Sequence, residues 1–292
     1  MSASFVNDNF LELPPRYSNY KTARYVVLPI PYDAAVSYNP GARRAPAAII
    51  DASHHVELLD EELLRGYYKA GVATLDPLVR VATGPKEMHD AIYLAARRIV
   101  RDGKTLLGLG GDHSVTGGLV RAVKTRHKRL SVLQIDAHLD LRDTCEGSAY
   151  SHATVMRRVT EMGVNVVPVG IRAVDGDELR FAKRNKIEIV TARECHTSDE
   201  WVDGVIDRLR DDVYVTIDID GFDPAYAPGT GTPEPGGLDW YQVTGLLRLV
   251  AAERNIVAAD VVEVMPLPGQ VVTEFLAARL LYKIICHIES EK

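Results

Sequence analysis

Residues 131–140, which read SVLQIDAHLD, combine a predicted strand with three potential metal ligands. The mostly apolar run 132–135 predicts a buried strand. Asp136, His138 and Asp140 follow at alternating positions, and alternate side chains of an extended segment point to the same side. Because unpaired carboxylates beside a buried strand are costly, the pattern favours a metal site at the end of this strand over a solvent-facing polar edge.

Residues 110–114 read GGDHS and follow a second apolar run at 105–109. The glycine pair allows the backbone to pass tightly near a site, and His113 is expected at or near the N-terminus of a helix. Taken alone, the segment is also compatible with a phosphate-binding loop, but it lacks the Lys-Ser/Thr pair of a P-loop. We therefore expect His113 to contribute an imidazole to the same site.

Residues 218–224 read DIDGFDP and follow a third apolar run at 213–217. Asp218 and Asp220 have the same two-residue spacing as the ligands after the first strand, so both are expected to project to one side. Asp223 falls outside this alternation and precedes a proline, which is typical of a turn. We expect Asp223 to have a hydrogen-bonding role there and not to bind metal.

The three segments together supply six potential ligands: His113, Asp136, His138, Asp140, Asp218 and Asp220. Carboxylate oxygens mixed with imidazole, with no cysteine among them, suit Mn²⁺ and similar ions better than a structural zinc. Six ligand groups exceed what one ion normally takes from a protein. The sequence therefore predicts two ions that share bridging carboxylates, an arrangement that activates water at neutral pH.

Predicted strands and helices alternate along the chain, which indicates an α/β protein with a parallel sheet covered by helices on both faces. Strands are expected at 24–30, 105–109, 131–135, 166–171, 187–191, 213–217 and 256–264. Helices are expected from about residue 46 and at 86–101, 114–126, 178–186, 201–209, 241–253 and 273–288. Without a linker-like segment, residues 1–292 are expected to form one domain, with residues 1–22 as an N-terminal arm.

Composition narrows the classes of function. The net charge is −6 and no long basic block occurs, so the sequence predicts no nucleic-acid partner and better suits a small cationic substrate. The N-terminus lacks the pattern of a signal peptide, and no apolar stretch is long enough to span a bilayer. Cys145, Cys195 and Cys286 are widely spaced and are expected to be free thiols. These features predict a cytoplasmic protein without a membrane partner.

Five of the seven histidines outside the ligand segments fall into two groups. His152 lies in a loop shortly after the first ligand segment, and either a proton carrier in the cleft or a surface residue is compatible with its position. The other group is expected to consist of surface or capping residues: His54, His55, His89 and His127.

The motifs GGDHS at 110–114, DAHLD at 136–140 and DIDGFDPAYAPGTGTPEPGG at 218–237 resemble those of the ureohydrolase family, which includes arginase and agmatinase. The resemblance extends from Pro29 to the last predicted helix. It implies a three-layer α/β/α sandwich with two Mn²⁺ ions per subunit, in a homotrimer or homohexamer. One ion would be bound by His113, Asp136, Asp140 and Asp218. The other would be bound by His138, Asp136, Asp218 and Asp220.

The same resemblance implies three catalytic residues. Asp140 would orient the attacking water, Glu263 would pair with the substrate guanidinium, and His152 would carry a proton to the leaving amine. The reaction would release urea and an amine. Glu263 also has a simpler, structural interpretation. It lies near the end of the predicted strand 256–264 and could be a charged residue at the end of a buried strand.

Segment 141–152 lacks the asparagine-bearing pattern that arginase-like members use for an amino-acid substrate, and it resembles agmatinase-type enzymes instead. The expected substrate is therefore agmatine, converted to putrescine, or N1-aminopropylagmatine, converted to spermidine. Guanidinobutyrase, arginase and formimidoylglutamase activities remain alternatives, because the residues after Pro266 depart from the agmatinase pattern. A two-metal phosphoesterase and a non-catalytic metal-binding protein are the alternatives outside this chemistry.

Overall fold

Eight parallel strands form one central sheet in the computed structural model, which describes residues 8–34 and 36–292. The strands are β1 (Tyr25–Pro29), β2 (Val72–Thr74), β3 (Thr105–Leu109), β4 (Leu130–Ile135), β5 (Asn165–Ile171), β6 (Val190–Thr191), β7 (Asp212–Asp218) and β8 (Asn255–Val262). Their order across the sheet is β2-β1-β3-β8-β7-β4-β5-β6, and every neighbouring pair is parallel. The predicted parallel sheet is confirmed.

Helices connect these strands. In the described part of the chain they are α1 (Pro15–Ser18), α2 (Ala45–Ser53), α3 (Pro85–Arg101), α4 (Val115–Val123), α5 (Val155–Glu161), α6 (Gly176–Asn185), α7 (Ala192–Thr197), α8 (Trp201–Arg208), α9 (Trp240–Glu253) and α10 (Val272–Ser290). The longer ones agree with the sequence prediction to within a few residues, because their apolar residues recur with a helical period.

Two hydrophobic clusters lie on opposite faces of the sheet. Alternation along β1 illustrates this, since Tyr25 and Val27 belong to one cluster and Val26 and Leu28 to the other. Helices α2, α9 and α10 pack over the first cluster, and α3, α4 and α5 pack over the second. The chain therefore forms the three-layer α/β/α sandwich that the resemblance implies.

The four middle strands, β3, β8, β7 and β4, bring the ligand segments to one edge of the sheet. Because these strands are parallel neighbours, the residues that follow them emerge at the same edge. The chain runs from β3 through α4 to β4, yet β8 and β7 lie between those two strands. Such a reversal of strand order opens a crevice at the carboxyl ends, where α/β sheets bind their ligands.

The short elements differ from the sequence prediction. Strand β6 has 2 residues, whereas the sequence predicts a strand over 187–191. Elements β2, α1, α5 and α7 have 3 to 7 residues and are not identified from sequence. Elements of this length contain too few residues to show a period, and their pairing or packing partners are distant in the sequence.

The described part of the predicted N-terminal arm, residues 8–22, packs against the body of the domain. Phe10 and Leu13 are buried, and the Leu11 N–H donates a hydrogen bond to Ser53 Oγ at 2.8 Å. Residues 1–7 of the arm lie outside the described residues. These contacts make residues 8–22 part of the folded body.

The cysteines and the helices of the described residues also relate to expectations from the sequence. All three cysteines are free thiols, as predicted. Across residues 8–34 and 36–292, no helix combines the length and the apolar character needed to cross a membrane.

Candidate metal centre

His113, shortly after β3, lies at the centre of one ligand group. Its Nδ1 atom lies 2.9 Å from Asp140 Oδ2, 3.1 Å from Asp136 Oδ2 and 3.3 Å from Asp218 Oδ2. The imidazole is fully buried, and this nitrogen has no hydrogen-bond partner among the described residues. A buried nitrogen without a hydrogen bond, facing three carboxylates, fits the coordination of a metal ion.

His138 forms the second ligand group. Its Nδ1 atom lies 3.1 Å from Asp220 Oδ2 and 3.7 Å from Asp136 Oδ1. Asp136 thus faces both imidazoles, one through each carboxylate oxygen. His138, Asp136 and Asp220 can place one ligand atom each within 4.8 Å of one another, as can His113, Asp136 and Asp140. The fold therefore brings all six residues singled out from sequence into one cluster.

The cluster is strongly acidic. Burial and the neighbouring carboxylates of Asp220 and Asp136 raise the pKa of Asp218 well above its usual value. Burial and Asp136 likewise raise the pKa of Asp140. Crowded carboxylates in the interior of a protein are strongly unfavourable unless positive charge compensates them. Divalent cations would supply that charge, so the donor set fits metal ions.

Both imidazoles gain protons in this environment. Burial alone lowers the pKa of His138, but the carboxylates of Asp136 and Asp220 outweigh it and raise the pKa to about 12. The pKa of His113 is also raised, against burial, by its three carboxylate neighbours. In the metal-free protein, protons therefore compete with metal ions for these nitrogen atoms. Metal binding must displace these protons, so its affinity should increase with pH.

Asp140 reaches the cluster through a left-handed backbone conformation and not through the extended segment that the sequence predicts. Its φ angle is +53°, a value that residues other than glycine rarely adopt. The Asp140 carbonyl accepts hydrogen bonds from the N–H groups of Met156 at 3.0 Å and Arg157 at 3.2 Å, in the first turn of α5. Strain of this kind costs about 1–3 kcal/mol and persists only where surrounding contacts fix it.

The segment after β7 also departs from the predicted alternation. Asp218 ends the strand, and Ile219–Gly221 form a 3-10 turn in which Asp218 Oδ1 accepts a hydrogen bond from the Asp220 N–H at 3.0 Å. The turn brings both carboxylates to the cluster without an extended backbone. Asp223 has the predicted turn role, since its carboxylate accepts hydrogen bonds from three later backbone N–H groups.

A close backbone approach requires the second glycine after β3. A Cβ atom on Gly111 would lie 1.8 Å from the carbonyl oxygen of Tyr32. The same carbonyl accepts a hydrogen bond from the Asp112 N–H at 2.8 Å. His113 follows, and α4 begins two residues later. The tight passage predicted for the glycine pair is confirmed at Gly111, and it places the imidazole just before the helix.

His152 and Glu263 lie beside the cluster and face each other. His152 Nδ1 lies 3.5 Å from Glu263 Oε1, and His152 Nε2 lies 3.0 Å from Ser37 Oγ. Burial lowers the pKa of His152, but Glu263 and then Asp140 outweigh it and raise the pKa to about 9. Glu263 follows β8 with a φ angle of +60° and accepts a hydrogen bond from the His113 N–H at 2.8 Å. The His152 ring is thus protonated at neutral pH, as a proton donor must be.

A cavity of about 290 Å³ opens onto the cluster. Three of the ligand residues contribute to its wall: His138, Asp140 and Asp218. The rest of the wall consists of Ser37, Arg142, His152, Ala153, Ala173, Val174, Glu178, Thr232 and Glu234. The volume is at the lower end of the range for small-molecule sites, which suits a slender substrate. Glu263 is 4% exposed and does not line this cavity, but its Oε1 atom lies 3.5 Å from His152 Nδ1, and His152 does line it.

Residues that orient the ligands are not identified by sequence analysis. Gln134 Nε2 donates hydrogen bonds to Asp136 Oδ2 at 2.9 Å and to the His138 carbonyl at 3.0 Å. A glutamine within an apolar strand is the one signal that could have indicated this role. Thr232 Oγ1 donates to Asp220 Oδ2 at 3.0 Å. No local pattern indicates that contact, because it depends on how a distant loop folds over the site.

His89 is buried in α3, whereas the sequence predicts a surface or capping position. Its ring packs edge-to-face against Tyr150, with 5.3 Å between the ring centroids. Burial, together with the nearby Arg121 guanidinium, lowers the pKa of His89 to about 4. His89 is buried because α3 packs against α4. The sequence pattern of a single helix does not show which helix packs against it.

Comparisons with known proteins agree with this fold and site. The family model described as the arginase family matches residues 23–287. The chain is 38% identical to an N(1)-aminopropylagmatine ureohydrolase from Synechocystis, over 92% of this chain and 90% of the relative. It is 36% identical to an agmatinase from Pyrococcus horikoshii, over 94% of this chain and 95% of the relative. The crystal structure of the agmatine ureohydrolase of Thermoplasma volcanium has a TM-score of 0.87 and 32% identity, covering 97% of this chain and 94% of that one.

The family match includes all three ligand segments and nearly the whole sandwich. The sequence identities of 38%, 36% and 32% are high enough to show membership of the same family and not only a shared fold. The resemblance noted from the sequence motifs is thus confirmed over the length of the domain. The chain belongs to the arginase family, the ureohydrolases, and is a hydrolase of amidino carbon–nitrogen bonds.

Proposed function

We propose that this protein uses two Mn²⁺ ions per subunit to hydrolyse the guanidino group of a small amine-bearing substrate, releasing urea and an amine. One observation carries the proposal. Two imidazoles and four carboxylates meet at a cavity whose wall also includes His152. The membership of the chain in the arginase family supports the same chemistry.

The ligand assignment follows from the contacts of the two groups. One ion would be bound by His113, Asp136, Asp140 and Asp218, and the other by His138, Asp136, Asp218 and Asp220. The position of Asp136 between both imidazoles supports its role as a bridge. Oxygen and imidazole donors without a thiolate favour Mn²⁺ over a structural zinc. When bound, such a metal pair lowers the pKa of water and supplies a nucleophile near neutral pH.

The side chains of the protein would align the substrate and move a proton. A guanidinium is a weak electrophile because its charge is delocalised, so its alignment with the attacking water matters. Asp140 would orient that water. Glu263 would accept paired N–H groups of the guanidinium, since charged hydrogen bonds of this kind are strong and directional. His152, whose protonated form the neighbouring Glu263 carboxylate favours, would donate its proton to the leaving amine nitrogen.

The charge of the cavity supports a cationic substrate over a phosphate ester. A phosphoesterase would surround the phosphate oxygens with several positively charged or amide side chains. The described cavity wall contains Arg142, but it also contains Glu178 and Glu234 in addition to the acidic ligands. A phosphate dianion would be repelled by this wall, whereas a guanidinium with a second positive charge would be attracted.

We propose agmatine or N1-aminopropylagmatine as the substrate, converted to putrescine or spermidine. The Glu178 carboxylate is already used by the N–H groups of Leu141 at 2.8 Å and Asp175 at 3.1 Å. In the described structure the Glu234 side chain has no hydrogen bond or ion pair. It is therefore available to a substrate ammonium group. The relatives named N(1)-aminopropylagmatine ureohydrolase and agmatinase support this assignment.

We further propose that residues 1–292 form a single domain that assembles as a homotrimer or homohexamer in the cytoplasm and serves polyamine biosynthesis. An exposed apolar patch formed by Tyr226, Val271, Val272 and Phe275 supports an oligomer. Contiguous apolar surface of this kind marks protein contacts more often than it remains exposed. Light scattering of the purified protein tests the subunit number, and a monomer would contradict this part of the proposal.

A urea-release assay after Mn²⁺ loading tests the proposed function. Its substrates are agmatine, N1-aminopropylagmatine, guanidinobutyrate and arginine, which share the guanidinium and differ at the far end. We expect the amine substrates to exceed arginine by at least roughly 10²-fold in kcat/KM, because Glu178 and Glu234 in the cavity wall would repel the α-carboxylate of arginine. Equal turnover of arginine would refute the amine-substrate proposal. Urea release from none of the four would refute the proposed substrates.

A further inference from the structure

A chain of buried polar side chains lies behind His113, on the opposite edge of the ring from the metal ligands. His113 Nε2 lies 2.9 Å from Thr216 Oγ1, which lies 3.5 Å from Thr116 Oγ1. Thr116 Oγ1 donates a hydrogen bond to Asp260 Oδ2 at 2.7 Å, and the Tyr214 hydroxyl donates a second one to the same oxygen at 2.5 Å. All five side chains are fully buried.

Asp260 is unusual for an interior strand. It lies in β8, opposite Thr216 of the neighbouring β7. In the described structure its Oδ1 atom has no hydrogen-bond partner, and hydroxyl groups supply the hydrogen bonds to its Oδ2 atom. Burial raises the pKa of Asp260, against the influence of His113 and of the hydroxyl groups. A buried carboxylate without a salt bridge destabilises the fold, so its presence needs a functional explanation.

The hydrogen bonds of this chain have one consistent direction. His113 Nδ1 faces three carboxylates, and a metal ion there would need its lone pair, so the ring proton must lie on Nε2. Nε2–H then donates to the Thr216 hydroxyl, which is free to direct its own proton onward. The Thr116 hydroxyl donates to Asp260, and an ionised carboxylate accepts hydrogen bonds only. Reversing the direction would require a proton on the carboxylate.

We propose that Asp260 acts through Thr116 and Thr216 as a positioning residue, which fixes the Nε2–H tautomer of His113 and presents its Nδ1 lone pair to the first metal ion. The inference rests on the metal centre of the proposed function and is independent of the substrate. Outer partners of this kind orient metal-binding histidines and increase their basicity. Here two hydroxyl groups span the gap between the imidazole and the carboxylate.

Tyr214 and Thr216 allow matched variants within one cluster. Tyr214→Phe removes a buried hydrogen bond to Asp260 but leaves the path to His113 in place, because Tyr214 is a branch of the chain. Thr216→Val keeps the shape of the side chain and removes the hydroxyl group next to His113. Thr216→Ser keeps that hydroxyl group and removes a methyl group. The three variants therefore separate the positioning role from packing and from general stability.

Calorimetric titration of the metal-free protein with Mn²⁺ measures both sites without any turnover. We expect Thr216→Val and Asp260→Asn to weaken one of the two sites by roughly 10- to 100-fold, the usual effect of losing an outer partner. The other site should stay close to the affinity of the unmodified protein. Thr216→Ser and Tyr214→Phe should bind both ions nearly as the unmodified protein does.

Unchanged Mn²⁺ binding by folded Thr216→Val would overturn the proposal, and so would equal weakening by Tyr214→Phe. If Thr216→Val does not fold, Asp260→Asn provides the decision in the same Mn²⁺ titration. Weakening of one site supports the proposal, and unchanged binding of both ions overturns it. Failure of the unmodified protein to bind metal would refute the metal centre, whereas intact binding without urea release would refute only the hydrolytic function.

Discussion

Glu263 Oε1 accepts a hydrogen bond from the His113 N–H at 2.8 Å and lies 3.5 Å from His152 Nδ1. One carboxylate oxygen thus connects the backbone of a metal ligand with the ring of the proposed proton donor. Glu263 is fixed in turn by its own N–H, which donates to the Gly111 carbonyl at 2.7 Å. Glu263 is therefore positioned by the same glycine turn that positions His113.

His152→Ala should leave the metal content unchanged and slow turnover. The ring contacts Glu263 and Ser37 and is not a member of either ligand group, so its loss removes a proton donor and no metal ligand. We expect kcat to fall by roughly 10²-fold, the usual contribution of general acid catalysis. Metal analysis and steady-state kinetics check both parts. Loss of metal, or unchanged turnover, would contradict the assigned role.

Glu263→Gln should lower the pKa of His152 toward the ordinary value of histidine. The pKa is raised to about 9 mainly by Glu263, against burial, so the protonated ring persists until the pH rises through about 9. Without the carboxylate, the proton should be lost at lower pH. NMR titration of the His152 ring in the metal-free protein measures the change. The same midpoint in both proteins would show that Glu263 does not set the charge of this ring.

The ligand residues could be predicted from sequence because each set directly follows a strand. Strands β3, β4 and β7 are short apolar runs, and parallel pairing brings their carboxyl ends to one edge whatever the exact register. Recognition of Asp136, His138 and Asp218 needs little more than this. The lengths of the long helices could also be predicted, because the periodic pattern of apolar residues that indicates a helix is local in the sequence.

The backbone at Asp140 and Glu263 could not be predicted. Both residues have positive φ angles, which their types disfavour, and tertiary hydrogen bonds stabilise them there. Alternation in an extended segment would also direct Asp140 to the cluster, so its position there was predicted, but from a backbone conformation that the residue does not have. The Asp260 chain was missed because one aspartate in an apolar strand has no local partner in the sequence.

Metal analysis should find about two divalent ions per chain in the purified, active protein. The structure adds a distinction between ligands. Asp136 faces both imidazoles, whereas Asp220 faces His138, so Asp136→Asn should weaken both sites and Asp220→Asn mainly one. Calorimetric titration with Mn²⁺ distinguishes these outcomes. Full activity with a single ion per chain would contradict the binuclear assignment.

Glu234→Gln should impair amine substrates at the far end of the cavity. Its carboxylate lines the wall, and in the described structure it has no ion-pair partner of its own. A charged hydrogen bond lost from a partly enclosed site is worth about 1.5–3 kcal/mol, so KM for agmatine should rise by roughly 10-fold or more. Glu253→Gln, on the exposed end of α9, is the matched control for lost charge. Equal KM values in both variants would exclude Glu234 from substrate binding.

Lys283→Met should destabilise the fold strongly without affecting the metal centre. Lys283 Nζ lies 2.9 Å from Asp60 Oδ2 and 3.0 Å from Oδ1, and both side chains are buried. Removal of one partner leaves a buried charge uncompensated, which costs about 3–5 kcal/mol. Urea denaturation measures the change in the free energy of unfolding. Lys86→Met is the control, because the Lys86–Asp90 pair is exposed and its attraction is screened by water.

The effect of Lys283→Met should also depend on pH in a defined direction. Burial raises the pKa of Asp60, but the Lys283 ammonium and the Leu63 N–H outweigh it, so the net pKa is lowered. A lowered carboxyl pKa stabilises the fold above the unfolded value of about 4 and loses its contribution as the pH falls through the folded value. The difference in unfolding free energy between the unmodified protein and Lys283→Met should therefore be largest near neutral pH and shrink in acid. A difference that stays constant down to acid pH would show that lost packing of the lysine stem, and not its charge, causes the destabilisation.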